Sequence, residues 1–511
     1  MSKFSDKCKE LLTESGYNIY RLSQTASLER TTLQRMVTGK RLPGQQFVEN
    51  FCRALRISLL QEKEVMELYK IECMGETAYL NQKTIMELFQ NLSEFEKKSY
   101  EIHRNIIDHG DLELLSSISD HTYDTEMFLQ FILKQAFQQE ETPVIYTNIP
   151  GNSTLLSHYL MLLMPQYQKD ISVKHLIYFQ TSVSSAHENL ETLNQILPLC
   201  FSKSINYEPY YFYSKLSKTD QPNLLFPFYI ITDQYALQLS GNLQKGLLHS
   251  EPDFVREYTN EFERCLNQSF PLIQQSDTLD EAIRLYLKCN VTPKIVESIE
   301  PAPCDLDLIS PQQFTNLVHK HIPEYLYLLD SYNDFLDALY HSKRKAFSTE
   351  AGLRRFCEKG ISSGTSSLIF PPFDRDERIR SLNHCVSNFD LGGEKHLLNH
   401  HFSFPNSLHI ELRDRSELNI IHIVDQKNIS FITILESSIC DAFAEFFELL
   451  TDSEYVFPDE QFKDILKKQL GNLEHQKLSD SKVLPPPQAN KAIRFMSFER
   501  GCGEINISCY T

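Results

Sequence analysis

Apolar residues recur three and four positions apart through the first 75 residues, in short runs separated by polar turns of two to four residues. The first run, residues 5–15, predicts an amphipathic helix that Gly16 stops. Asn18 is a good N-cap for a second helix over 19–25, residues 27–28 form a turn, and a third helix is predicted over 30–38. Gly39 ends that helix where a left-handed residue costs little, and Pro43 is expected to open a fourth over Gln45–Leu55. A fifth is predicted over Leu59–Met74 and a long sixth over 82–109, followed by two more helical segments to about residue 139.

The period then shortens to two. Residues 144–146, 175–179, 210–213 and 228–239 read as strands, with helices over 154–164 and 190–199 between them and another over 253–267. Beyond the break at Pro301, Ala302 and Pro303, helices are predicted over 311–319, 324–341, 349–359 and 374–388. Strands follow over 408–412, 418–424 and 429–435, then a helix over 438–450. The tail from Ser479, with Pro485, Pro486 and Pro487, reads as a poorly ordered extension.

This order predicts a multidomain chain: an all-α five-helix unit at 1–75, a helical linker or dimerisation region at 76–140, an α/β module at 141–300, an α+β module at 301–475 and a tail at 476–511. One echo runs through it. Residues 229–234 (YIITDQ) and 421–426 (IHIVDQ) each lead into a strand and then a Phe-rich helix, which would make the two later regions related modules around a ligand.

With 41% hydrophobic and 11% aromatic residues, the 511-residue chain has the material for two or three cores. No stretch reaches the roughly 18 apolar residues of a membrane span, and charges stand where a signal peptide would be apolar, so the expectation is a cytoplasmic protein with no membrane partner. The 12 cysteines are scattered singly, which suits reduced thiols better than a disulfide framework or a cysteine-type metal site.

The net charge of −18 argues against nucleic acid only as an average. Residues 1–60 hold ten bases (Lys3, Lys7, Lys9, Arg21, Arg30, Arg35, Lys40, Arg41, Arg53, Arg56) against five acids (Asp6, Glu10, Glu14, Glu29, Glu49), a net of +5 that leaves −23 for the remainder. Such segregation fits one small module that touches phosphate while the rest avoids it.

Within that module, residues 18–43 read NIYRLSQTASLERTTLQRMVTGKRLP. They resemble the helix-turn-helix of the phage-repressor/Cro family, also called the xenobiotic-response-element family: an N-capped helix, a short turn, a recognition helix, then Asn/Thr-Gly-Lys-x-x-Pro. Leu22, Leu28, Leu33 and Met36 fall at the family's core contacts, and Thr38 to Pro43 supply its loop signature. The resemblance covers about 70 residues and implies a bacterial-type regulator whose third helix enters the major groove of double-stranded DNA. It implies base reading by Arg30, Thr31 and Arg35, with Gln34 close enough to assist, and phosphate binding by Asn18, Arg21, Lys40 and Arg41. Three positions depart from the pattern: Ser27 replaces the preferred Gly, Ile19 replaces a phosphate-binding Gln, and Glu29 is a weak cap beside the phosphates.

Other features point less far. The pattern Gly360-Ile361-Ser362-Ser363-Gly364 matches the nucleophile elbow, but a helix rather than a strand precedes it. His396, His400 and His401 have a helical metal-ligand spacing without a carboxylate or thiol partner, and His319 and His321 suit a helix C-terminus. Tyr207, Tyr210, Tyr211, Phe212 and Tyr213 either wall a pocket or pack a strand on both faces. No P-loop, no dinucleotide fingerprint and no complete His-x-Lys…Asp motif of phospholipase-D type occurs.

The expectation is therefore a non-enzymatic, sequence-specific transcription regulator without metal or other cofactor. It would act as a homodimer whose large C-terminal region dimerises, senses a small-molecule or peptide effector, or both. An enzyme or toxin-like effector with an autoregulatory helix-turn-helix, and a protein-interaction adaptor, remain open alternatives.

Overall fold

A computed structural model describes residues 2–98, 118–119, 121–167, 169–180, 186–202, 204–214, 225–276, 293–303, 311–318, 341–361, 370–387, 394–423 and 429–480. All but the last residue of the predicted helix over 324–341, the end of the long helix beyond residue 98, His319, His321 and the tail beyond residue 480 lie outside them.

Five helices come first: α1 (Lys3–Glu14), α2 (Ile19–Ala26), α3 (Arg30–Val37), α4 (Gln45–Leu55) and α5 (Leu59–Met74). Their apolar stripes meet in one core that includes Phe4, Cys8, Leu22, Leu33, Met36, Phe51 and Val65. Caps punctuate the chain, at Asn18 where the sequence places one and at Ser58 where it was not singled out. The Asn18 side chain accepts the Arg21 backbone N–H at 2.8 Å, and Ser58 and Gln61 close a reciprocal capping box on α5. Pro43 does not open α4: Gly44 is the N-cap, and Pro43 lies buried just before it, its carbonyl accepting the Tyr69 hydroxyl at 2.9 Å.

Helix α6 (Glu76–Lys98) runs out of this bundle, but what is described of it is not a linker. Ile85, Leu88, Phe89 and Leu92, spaced as one helical face, are buried in the largest core of the molecule.

The body holds two mixed sheets. The first contains β1 (Ile118–Ser119), β2 (Val144–Thr147), β3 (Ile171–Gln180), β4 (Ile205–Ser214), β5 (Phe228–Ile231), β6 (Ala236–Leu239), β7 (Gly246–His249) and β8 (Phe270–Pro271). Its helices are α7 (Thr122–Gln138), α8 (Leu155–Tyr167), α9 (Ala186–Cys200) and α10 (Pro252–Leu266). The second contains β9 (Gln274–Ser276), β10 (Ile295–Glu300), β11 (Lys343–Thr349), β12 (Glu394–Leu398), β13 (Leu408–Arg413), β14 (Glu417–Ile423) and β15 (Ile429–Ile434). Its helices are α11 (Pro311–Leu317), α12 (Glu350–Lys359), α13 (Arg375–Ser387), α14 (Ser437–Thr451) and α15 (Asp459–Asp480). The architecture is thus a helical N-terminus followed by an α+β region.

The two sheets share a strand order. The first runs β4-β3-β2-β5-β6-β7-β1 before β8 is added beside β4, and the second runs β12-β11-β10-β13-β14-β15-β9. In both, the first three strands are parallel and every later pairing is antiparallel. An equivalent helix follows the last hairpin of each, α10 and α14. The echo at 229 and 421 sets β5 beside β14, whereas topology makes β13 the counterpart of β5. Similar apolar runs one hairpin apart look alike in sequence, while hydrogen-bond order separates them; Asp425 and Gln426 themselves lie outside the described residues. The expected division at residue 300 runs through the second sheet, because β9 and β10 pair with β15 and β13.

The layers stack. Helix α10 covers one face of the first sheet, with Val255 and Phe262 against Leu176, Ile231 and Ala236. Helices α7, α8 and α9 cover the other, and α6 and α14 join α9 to the second sheet in a continuous core. Beyond that sheet, Leu397 meets Leu353, Phe356, Leu382 and Phe462 of α12, α13 and α15.

Inside the first sheet a buried histidine is held neutral. Nε2 of His175 lies 2.8 Å from the Ile149 carbonyl, which can only accept, so Nε2 donates and Nδ1 accepts the Tyr207 hydroxyl at 2.7 Å. Burial pushes its pKa down to about 4, against 6.5 for an ordinary imidazole. Because the folded pKa is depressed, the unfolded chain takes up the proton first as pH falls. This contribution to stability is complete above pH 6.5 and is lost towards pH 4, by about 2 kcal/mol between pH 7 and pH 5. His175→Gln should flatten that part of the dependence of the urea midpoint on pH; an unchanged slope would remove His175 as its source.

Candidate nucleic-acid interface

The candidate surface begins with the turn between α2 and α3. Ser27 takes the left-handed conformation, φ 53° and ψ 33°, that a glycine there would adopt at no steric penalty. The departure from glycine therefore leaves the turn intact at about 1–2 kcal/mol. Glu29 is the N-cap of α3 without a capping bond from its side chain. Its carboxylate instead accepts the Thr32 hydroxyl at 2.5 Å, which keeps it engaged on its own helix.

After α3 the chain reverses through Thr38, whose hydroxyl donates to the Gln34 carbonyl at 2.7 Å, and Gly39, at φ +69°. The Arg35 carbonyl then accepts the backbone N–H of Lys40 at 2.8 Å and of Arg41 at 3.4 Å. These bonds fix the loop that carries the two cations to the end of the helix holding Arg30 and Arg35.

The structure places Arg30, Thr31, Gln34 and Arg35 on α3 and Asn18, Arg21, Lys40 and Arg41 around it, and all eight are exposed. Leu22, Leu28, Leu33 and Met36, the expected core contacts, are all buried. None of Arg21, Arg30, Arg35, Lys40 and Arg41 has a carboxylate partner among the described residues. Their charge is available to an external anion.

Two aromatic neighbours were not singled out from sequence. The Arg21 guanidinium lies over the Tyr17 ring and that of Arg30 over the Tyr20 ring, each at 5.6 Å. The first pair joins the residue before the α2 N-cap to the first turn of that helix and the second joins two helices, so neither has the spacing of a pair within one helix.

Behind this surface, a cleft of about 780 Å³ separates α5 and α6 from residues 401–403 and 448–455 of the body. It is lined by Met66, Met74, Met86, Tyr69, Tyr79 and Tyr455 with Lys63 and Lys83, and is spanned by the Lys70–Glu454 ion pair at 3.3 Å. The bond of Tyr69 to Pro43 connects the cleft wall to the Lys40–Arg41 loop. Burial pushes the Tyr69 phenol up to about 12.

The other flagged groups do not assemble. His396 is on β12 with its ring stacked on Phe347 at 4.8 Å, while His400 and His401 lie in the following turn, so no helix brings the three onto one face. Of the elbow pattern, Gly360 ends α12 in a left-handed conformation, and Ser362, Ser363 and Gly364 lie outside the described residues. The aromatic run packs both faces of β4, Tyr207 and Tyr211 towards the large core and Tyr210 and Phe212 against the α10 side. No helix among the described residues is long and apolar enough to cross a membrane.

No family model matches the chain, and no curated protein matches it. Among solved structures, polyphosphate kinase from Porphyromonas gingivalis aligns at 12% identity over 68% of this chain and 54% of its own, with a TM-score of 0.21. Phosphatidylserine synthase from Haemophilus influenzae Rd KW20 aligns at 9% identity over 71% and 93%, with a TM-score of 0.24. The chain thus spans about half the length of the kinase, and neither likeness reaches a level that carries fold or function.

Proposed function

We propose that the chain is a sequence-specific DNA-binding transcription regulator whose first five helices form a helix-turn-helix domain and whose body dimerises it and senses an effector. The observation that carries this reading is the set of five exposed cations, without carboxylate partners among the described residues, on α2, α3 and the loop after α3. An α3 laid in the major groove presents Arg30, Thr31, Gln34 and Arg35 to base edges. Asn18, Arg21, Lys40 and Arg41 then hold phosphates and set register.

Residues 61–511, at a net −23 by subtraction from the total, are repelled by the same polyanion, so DNA would meet the protein through the basic first 60 residues. A homodimer would place two such units on half-sites about one helical turn apart. The shared strand order of the two sheets supports reading the body as two related modules. A small molecule or peptide in the cleft beside Tyr69 would act through its unequal affinity for two arrangements of the unit on the body.

Selection of duplexes from a random pool by the full chain at low ionic strength tests the reading. Enrichment of one motif with two related half-sites is the expected result. Recovery of no preferred sequence, or turnover of a substrate by a chain that ignores DNA, would overturn it.

A further inference from the structure

We infer that Tyr20 is a positioning residue for Arg30, and that the base preference assigned to Arg30 depends on this ring; the inference rests on the DNA-binding reading above. Tyr20 is 60% exposed although a tyrosine on a helix with a core beneath it has apolar surface to bury. Its ring instead supports the Arg30 guanidinium at 5.6 Å. Arg30 needs such support. It is the first residue of α3, where the unbonded N–H groups and the helix dipole repel a cation, and it has no carboxylate partner among the described residues. The one acid beside it, Glu29, is taken by Thr32.

The geometry of the pair matters for its use. An aromatic face holds a guanidinium through its π surface, leaving the N–H donors in the plane of the group free to meet O6 and N7 of guanine. A carboxylate would hold the same group by occupying those donors. Tyr20 therefore restricts the long side chain, which otherwise loses its rotamer freedom only on binding, without competing with the base. The Tyr17 ring under Arg21, at the same 5.6 Å, repeats the arrangement on a cation assigned to phosphate.

The test uses the full chain and four duplexes that differ only at the base pair whose preference disappears in Arg30→Ala. Tyr20→Leu should narrow the preference at that pair by about twofold to fivefold, the range of an exposed cation–π contact. Preferences at other positions and affinity for random duplex should stay as in the wild type. Tyr20→Phe should retain the preference, and Tyr20→Leu should add nothing once Arg30 is alanine. An equal loss on all four duplexes, or the same loss with and without Arg30, would overturn the inference while leaving DNA binding in place. Failure of the wild-type chain to prefer any duplex would remove the DNA reading itself, and this inference with it.

Discussion

Phe89→Ala is expected to destabilise the chain by about 3–5 kcal/mol, the range for emptying a buried phenylalanine site that cannot collapse. Phe89 is fully buried, and its ring lies 6.1 Å from Phe402, 5.2 Å from Phe404 and 5.8 Å from Phe446, three aromatics of the second module. The side chain is thus the point at which a helix leaving the N-terminal bundle is fastened into the body. The surrounding rings belong to the turn after β12 and to α14, and a close-packed interior leaves a cavity where Phe89 is truncated. Urea unfolding should show the loss in the transition of the body, and Phe89→Leu, which keeps most of the volume, should cost less than about 1.5 kcal/mol. A loss below about 1 kcal/mol for the alanine variant would mean that α6 lies on the body rather than in it.

The N-terminal helices were legible because each boundary has a local cause. Asn18 caps α2 through one hydrogen bond, Gly39 ends the turn after α3, and the 3.6-residue period carries the rest. Residues 5–15 were expected where α1 spans Lys3–Glu14, and α4 and α5 fall where expected. Strands β10, β11 and β12 were not found, because their sequences IVESIE, KRKAFST and EKHLL lack the apolar alternation of a buried sheet. The sheet carries charge inside: Glu297 meets Lys345 at 3.7 Å, and Arg413 bonds Glu411 at 2.5 Å, with all but Lys345 almost fully buried. Burial pushes the Glu297 carboxyl up, whereas the neighbouring cation Arg413 helps hold that of Glu411 down despite its burial. Charge pairing, between strands for Glu297 and Lys345 and within β13 for Glu411 and Arg413, supplies what the pattern of hydrophobicity did not announce.

The candidate interface divided in the same way. Residue types and spacing located α3 and its cations, since a short helix with its flanking turns is a local object. The ring under Arg30, the Tyr69 bond to Pro43 and the cleft behind it each join segments distant in sequence, and only the packed chain brings them together.

Arg35→Ala and Lys40→Ala should separate the two kinds of contact assigned to this surface. Arg35 is exposed on α3 without a carboxylate partner among the described residues, so a base can take its full set of donors. Its loss should cost about 1–3 kcal/mol of discrimination, roughly 5-fold to 150-fold in relative affinity, on the preferred duplex and little on random DNA. Lys40 stands beyond Gly39, held by its backbone bond to the Arg35 carbonyl, and carries a point charge that suits phosphate. Removing it should weaken binding to preferred and random duplexes alike and flatten the dependence of log K on log salt by about one unit, as one fewer counterion is released. Titrations of both variants across a salt series measure both quantities together. Equal loss on the two duplexes for Arg35→Ala, or an unchanged salt slope for Lys40→Ala, would exchange or cancel the roles given to them, because a base contact changes specificity and a phosphate contact changes the count of displaced ions.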